Sequence, residues 1–291
     1  MCERSSQYRC RKCRRRCGSL GKARERGSSG RRAQTRKEGT KLRVDVRPGT
    51  WGSVSVEDVQ VVLCDAALQI NSTLRQPLQA TVTVIHAPDT NPQVLVHSSR
   101  RSWYWVQLSA EDRRWAQYAY QFSHEFCHII VDPYAETGWN HQWFAEALCE
   151  TASVFVLRRM AKVWTIQPPY PHWRDYAPHL NAYADGRITD ADHALPPRLT
   201  LPEWIASEEQ SLIHDAVTKG EQRKKFSIIA YAILPALEAY PSGWNAIREL
   251  PIRYGAEPGS IGEYLQQWHA AVDPADQDFA SHVIRILTDA K

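Results

Sequence analysis

HEFCH, residues 124–128, is followed by WFAE at residues 143–146 and then by Glu150. On an α-helix, residues four positions apart lie on the same face, one turn apart. His124 and His128 can therefore direct both imidazoles at a single metal ion, while Glu125 sits about 80° round the helix from the pair. The spacing predicts a helix that carries two metal ligands and a neighbouring carboxylate within reach of a metal-bound water.

The residues around this motif have the periodicity of a helix that packs on a core. Four apolar residues lie between about 160° and about 240° from His124: Trp115, Phe122, Phe126 and Ile130. The run Ser109-Ala110-Glu111-Asp112 is a variant of the capping box and predicts the start of the helix. Asp132-Pro133 predicts its end.

A third ligand has to come from another segment. Enzymes with an extended HExxHxxGxxH motif take a third histidine from the same segment, but Val131 and Tyr134 stand at the corresponding positions here. A second helix is predicted from Gln142 to Ala161, with Glu146 and Glu150 on the face opposite its apolar residues. We expect Glu146 to be the third ligand. Glu150 is expected to accept a hydrogen bond from the other ring nitrogen of a ligand histidine.

This set of residues predicts a catalytic zinc site. Zinc in such sites takes three protein ligands and a water, whose pKa the metal lowers towards about 7. Glu125 would take the proton of that water as general base and return it to the leaving amine. The competing interpretation is two core histidines with ordinary surface carboxylates. No Lys or Arg lies between His124 and Glu150 to neutralise these carboxylates, and a buried unpaired carboxylate is costly, which favours a metal.

The chain resembles the gluzincin class of metallopeptidases, the thermolysin-like and aminopeptidase-like enzymes, over roughly residues 80–160. The resemblance is carried by five residues: His124, Glu125, His128, Glu146 and Glu150. It implies a zinc-dependent peptidase with a zincin-like fold: a small twisted sheet, the active-site helix, and a mostly helical second half. It also implies an edge strand that binds extended peptide. The chain departs from the thermolysin-like pattern at Glu150, where those enzymes have Asp, and has no motif for binding a substrate N-terminus. Endopeptidase and exopeptidase activity both remain open.

Charge divides the chain into two parts. Residues 1–43 contain 16 of the 36 Lys and Arg but 3 of the 32 Asp and Glu, a balance of +13, so residues 44–291 carry −9. The first segment nearly lacks apolar residues, and we predict a disordered basic tail over 1–43. Such a tail allows non-specific contact with nucleic acid. Its cysteines (Cys2, Cys10, Cys13 and Cys17) lack the matched second pair of a zinc knuckle.

Residues 44–291 are predicted to form one α+β catalytic domain, with the sheet and both motif helices in 44–164 and a helical subdomain in 165–291. Three strands are predicted before the motif helix, at 81–85, 93–97 and 103–108. We expect Trp103–Leu108 to be the substrate-binding edge. A further helix is predicted over Ser55–Leu74, and helices in the second half over Lys225–Tyr240, Trp244–Leu250, Ser260–Val272 and Asp276–Thr288, with a kink or break at Pro235.

Several residues near the motifs remain candidates for supporting roles. A peptidase of this type needs a donor for the tetrahedral oxyanion, and four residues are candidates: Tyr170, His172, Tyr176 and Tyr231. Cys127 and Cys149 flank the motifs and are expected to be buried thiols, with a disulfide between them as the alternative.

The cysteine pattern and the sequence as a whole favour a cytoplasmic protein. We see no export signal and no apolar run of about 18 residues, so no membrane span is expected. The resulting hypothesis is a zinc metallopeptidase that acts on a peptide or protein substrate. The alternative is a non-catalytic binding or regulatory protein on a peptidase-like scaffold.

Overall fold

The computed structural model describes residues 41–96, 102–131, 141–218, 224–251 and 259–289. Within these ranges the protein has nine α-helices and one four-stranded sheet. The predicted mixed α+β class is confirmed in this general form. Residues 1–40 of the predicted basic tail lie outside the described residues. The first strand begins at Arg43, which was predicted to be the last residue of that tail.

The sheet comprises β1 (Arg43–Val46), β2 (Thr81–His86), β3 (Gln93–Val96) and β4 (Trp103–Leu108). Its strand order is β1-β2-β4-β3. β1, β2 and β4 run parallel, with Val82 opposite both Val44 and Tyr104, whereas β3 is antiparallel to β4. Helix α1 (Val56–Asn71), which Ser55 caps, connects the parallel strands β1 and β2 and packs against β1.

The expectation that Trp103–Leu108 forms the edge of the sheet is wrong. This strand, β4, pairs with β2 on one side and with β3 on the other. The short connection from β3 places that strand beside β4 as an antiparallel partner, on the side that β2 does not occupy. In the described part of the chain, the edge nearest the motif helix is therefore β3, and it contacts that helix.

The motif helices are α2 (Trp115–Val131) and α3 (Gln142–Ile166). The predicted start of α2 at Ser109 is wrong because Asp112 has a φ of 56°, outside the helical region. Its carboxylate instead accepts hydrogen bonds from the backbone N–H and hydroxyl of Ser53. Helix α3 extends beyond the predicted end at Ala161 to Ile166, because its apolar side chains continue to Trp164, which is completely buried.

Six further helices follow: α4 (Ala177–Thr189), α5 (Leu201–Thr218), α6 (Lys224–Ala239), α7 (Trp244–Arg248), α8 (Ile261–Ala271) and α9 (Gln277–Thr288). The predicted helices of the second half are present, and Ser260, the first residue of one predicted range, forms a capping box with Glu263. Helix α6 continues through Pro235, so the break allowed for at this residue does not occur. None of the described helices has the length and apolar character needed to span a membrane.

Helix α3 lies at the centre of the molecule. It contacts α1 and α2 on the side of the sheet, and α4, α5 and α6 in the helical half. Its side chains are buried around most of its circumference, including Trp143, Phe144 and Phe155. A helix that is apolar all round is expected to be enclosed on all sides. Polar residues on such a helix are consequently held in place by the elements around it.

Candidate metal centre

Helices α2 and α3 pack face to face with their polar residues opposite one another. Tyr120 meets Glu150, His124 meets Glu146 and Glu150, and His128 meets Glu146. From Tyr120 to His128 along α2, the facing residue on α3 changes from Glu150 back to Glu146. The two helices therefore run antiparallel at this contact. Because Tyr120, His124 and His128 are spaced by four residues, they form one line of side chains along α2.

The three predicted ligands lie next to one another. Nε2 of His124 lies 3.4 Å from Oε2 of Glu146, and Nε2 of His128 lies 3.7 Å from Oε1 of the same carboxylate. A tetrahedral zinc ion with bonds of 2.0–2.2 Å would hold its ligand atoms about 3.3–3.5 Å apart. The two imidazoles and the carboxylate have the donor types of a zinc site. The distance from His124 to Glu146 matches this spacing, whereas the 3.7 Å contact of His128 is slightly longer and involves the other carboxylate oxygen.

Glu125 lies inside the protein beside this cluster. It is 3% exposed, and its charge, with that of Glu146, contributes to raising the pKa of the Cys149 thiol. Burial itself is the largest cause of that shift, followed by a hydrogen bond with Cys127. The expected position of Glu125, within reach of a metal-bound water, remains a prediction.

Glu150 is held by four side chains. The hydroxyl of Tyr120 lies 2.5 and 2.6 Å from its two carboxylate oxygens, and the hydroxyl of Tyr231 donates to Oε1 over 2.9 Å. Ser227 and Arg187 each lie 3.5 Å from Oε1. Oε2 lies 4.0 Å from Nδ1 of His124, which is close enough for an ion pair but longer than a direct hydrogen bond. The hydrogen bond expected between Glu150 and a ligand histidine therefore remains a prediction.

Both tyrosines remain hydrogen-bond donors at ordinary pH. Burial raises the pKa of Tyr120 well above its usual value, and the negative charge of Glu150 raises it further. The same two causes raise the pKa of Tyr231. Neutral hydroxyls facing a carboxylate act as donors to it, so these contacts are charge-assisted hydrogen bonds.

The four oxyanion candidates occupy different places. Tyr231 is at the centre, but its hydroxyl is engaged by Glu150. The rings of Tyr170 and His172 stack on one another, and Tyr170 packs edge-on against Trp173. The hydroxyl of Tyr176 accepts a hydrogen bond from the N–H of Ala116, at the start of α2 and about 12 Å along the helix from His124.

Sequence reasoning missed Tyr120 and Arg187. Tyr120 could have been found from its spacing, because it precedes His124 by one helical turn on the same face. Arg187 lies on α4, 37 positions beyond Glu150, and no local pattern connects the two residues. Only the packing of α4 against α3 brings its guanidinium to the carboxylate.

Cys149 offers a second donor set. Its sulfur and one nitrogen from each of His124 and His128 lie within 4.8 Å of one another. Cys127 and Cys149 are both buried free thiols, so the alternative of a disulfide between them is not what the structure contains. Glu146 and Cys149 therefore both lie close enough to the two histidines to be considered as the third ligand, and the choice of Glu146 stays a prediction.

No protein-family model matches the chain, and neither a curated protein nor a solved structure matches it.

Proposed function

We propose that the protein is a zinc-dependent hydrolase that cleaves peptide bonds. The observation that carries the proposal is the contact of both His124 and His128 with the Glu146 carboxylate, with Glu125 buried on the same helix as the histidines. Two imidazoles and one carboxylate are a ligand set of catalytic zinc sites, which keep the fourth position for water. The sequence has no Lys or Arg between His124 and Glu150 that could neutralise these carboxylates.

The charges around the site also favour a divalent cation. Glu125 and Glu146 both act electrostatically on Cys149, and Glu146 and Glu150 both approach His124. Arg187 contacts one of these three carboxylates, Glu150. One zinc ion with neutral histidines would balance the remaining two negative charges. Protonation of both histidines would give the same total, but their ring centroids are 5.1 Å apart, and two like charges at this distance repel.

The proposed mechanism assigns one role to each residue. His124, His128 and Glu146 would hold the ion, which supplies an acidified water and polarises the substrate carbonyl. Glu125 accepts a proton from the attacking water and delivers it to the leaving amine nitrogen. Glu150 fixes the orientation of the His124 ring. The oxyanion donor is not assigned, because the hydroxyl of Tyr231 already donates to Glu150.

The substrate in this proposal is a peptide in extended conformation. The feature that supports it is β3, which pairs only with β4 among the described strands and contacts α2. An open strand edge presents backbone N–H and C=O groups to which a peptide can add as a further strand. A peptide on β3 would lie beside the helix that carries His124 and His128.

The experiment that tests this function uses the full chain and the variant Glu125→Gln. The amide is nearly isosteric with the carboxylate but cannot take the proton, so the variant should bind zinc as the wild type does and lose hydrolysis of a mixed peptide library by at least about 100-fold. The control is Glu57→Gln, at an exposed position of α1, which should cleave at the wild-type rate. Full turnover in Glu125→Gln would contradict the assigned mechanism.

A non-catalytic binding protein is the second candidate, and the Cys149 thiol is the observation that favours it. With Cys149 as a fourth protein ligand beside His124, His128 and Glu146, the coordination would be closed, as in structural zinc sites. A closed site would leave no position for water. The zinc would then hold α2 and α3 together rather than activate a nucleophile.

A further inference from the structure

Arg187 connects the helical half of the protein to the metal centre. Its guanidinium Nη2 lies 3.5 Å from Oε1 of Glu150, and its Cζ lies 5.2 Å from the centroid of the Tyr120 ring. A guanidinium over an aromatic face at this distance makes a cation–π contact. One side chain on α4 therefore contacts both α2, through Tyr120, and α3, through Glu150.

The residues around Arg187 hold it in this position. Its backbone carbonyl lies 2.7 Å from Nδ1 of the buried His193, whose ring packs edge-on against Tyr231 at 5.7 Å. Tyr183, one turn earlier on α4, packs against Tyr120 with ring centroids 5.6 Å apart. Arg187 is therefore linked to two donors of Glu150, to Tyr120 directly and to Tyr231 through His193.

The carboxylate that these residues hold faces the metal ligands. Oε2 of Glu150 lies 4.0 Å from Nδ1 of His124, while Nε2 of the same ring faces Glu146. Partners of the second ring nitrogen fix the orientation of a metal-bound histidine, and their loss costs about 10- to 100-fold in metal affinity.

We propose that Arg187 is a positioning residue of the metal centre, which together with Tyr120 and Tyr231 holds the Glu150 carboxylate against His124 and so sets the affinity for zinc. The proposal rests on the zinc site of the proposed function and adds to it the part of the helical half on which that site depends. Arg187 contacts Glu150 and Tyr120 and acts on the metal only through them.

The test measures zinc affinity of the full-length protein by competition with a chromogenic chelator. Arg187→Met should weaken zinc binding about 10- to 100-fold. Arg187→Lys should recover part of the loss, because it keeps the charge near Glu150 but not the planar group that stacks on Tyr120. If Arg187→Met fails to fold, Tyr231→Phe, which removes only the hydroxyl 2.9 Å from Glu150, should weaken zinc binding in the same direction.

A double-mutant cycle separates positioning from a general effect on stability. In a Glu150→Gln background, Arg187→Met should have little further effect on zinc affinity, because both changes disrupt the same link. The matched control is Arg158→Met, which breaks a 3.0 Å ion pair with Glu238 between α3 and α6, about two turns along α3 from Glu150. This control should leave zinc affinity unchanged.

The outcomes distinguish the two proposals. If the wild type, Arg187→Met and Tyr231→Phe all bind zinc with the same affinity, the proposed role of Arg187 is overturned. The zinc site itself would not be contradicted by that result. Equal losses from Arg187→Met in the wild-type and Glu150→Gln backgrounds would also overturn the role of Arg187, since Arg187 would then not act through Glu150. A wild-type chain without zinc would overturn the zinc site and this inference with it.

Discussion

Nε2 of His124 on α2 lies 3.4 Å from Oε2 of Glu146 on α3, across the contact between two mostly buried helices. His128 approaches the other oxygen of the same carboxylate. Polar groups inside a protein are costly unless they are paired or bind a metal. The proposed zinc ion would offset the cost of placing this cluster between two helices with mostly apolar side chains.

The role of Cys149 can be tested by Cys149→Ser. If Glu146 is the third ligand, the variant should bind zinc within a few-fold of the wild-type affinity and retain hydrolysis. Zinc affinity should be measured by chelator competition, with Cys64→Ser, at a buried thiol that is not in the candidate donor set, as the control. A loss of zinc affinity greater than about 100-fold that is confined to Cys149→Ser would favour the closed, non-catalytic site.

Replacing either of two glycines in the helical half by alanine should change the stability of the protein, but in opposite directions. A Cβ added at Gly243 would lie 2.6 Å from two ring atoms of the buried Phe279, so Gly243→Ala should destabilise the protein by about 1–3 kcal/mol. Gly186 is exposed within α4, with nothing within 4 Å of an added Cβ. Gly186→Ala should stabilise by about 0.5–1 kcal/mol. Urea unfolding of both variants checks the pair, and a similar effect at the two positions would contradict the packing described.

The buried Tyr264 makes a prediction about alkaline pH. Burial raises the pKa of this phenol, so it stays protonated in the folded protein above about pH 10, where an unfolded tyrosine ionises. The folded state then binds more protons than the unfolded state, and stability that is present below pH 10 falls as the pH rises. Tyr264→Phe should reduce this decline by up to about 1.4 kcal/mol per pH unit.

Denaturant unfolding of Tyr264→Phe between pH 8 and 11.5 provides the measurement. Tyr240→Phe is the matched control, because Tyr240 is 59% exposed, and its profile should parallel that of the wild type. Parallel profiles for the wild type and Tyr264→Phe above pH 10 would show that this tyrosine is not buried as described.

Binding of substrate on β3 predicts a two-residue alternation in the effect of backbone methylation. In an added strand, every second N–H points at the neighbouring strand. N-methylation of a cleaved peptide at those positions should lower kcat/KM by at least about 10-fold, while methylation at the intervening positions should be tolerated. Equal tolerance at all positions away from the scissile bond would exclude strand addition as the mode of binding.

The sequence predicted the elements that local periodicity determines. The strands at Thr81, Gln93 and Trp103 and the helices around His124 and Glu146 lie where alternation or helical spacing placed them. The start of α2 was predicted incorrectly because Asp112 pairs with Ser53, a residue 59 positions away. The position of β4 inside the sheet was also missed, since strand order depends on long-range pairing and not on local pattern.

The candidate site also has one part that local spacing predicts and another that depends on how distant helices pack. His124 and His128 are four residues apart, as are Glu146 and Glu150. This spacing alone predicts that the two members of each pair lie on the same helix face. The donors around Glu150 come from α2, α4 and α6, and the choice of Arg187 and Tyr231 depends on how those helices pack. No spacing in the sequence encodes that packing.

The zinc content of the purified full-length protein, wild type beside Glu146→Gln, tests the central claim most directly. After reconstitution with zinc and removal of weakly bound zinc, we predict about one zinc ion per wild-type chain. Zinc binding should be lost or strongly weakened in Glu146→Gln, because the amide is a poorer ligand than the carboxylate. Absence of zinc from the folded wild-type protein, or an equal content in the variant, would contradict a site built from His124, His128 and Glu146.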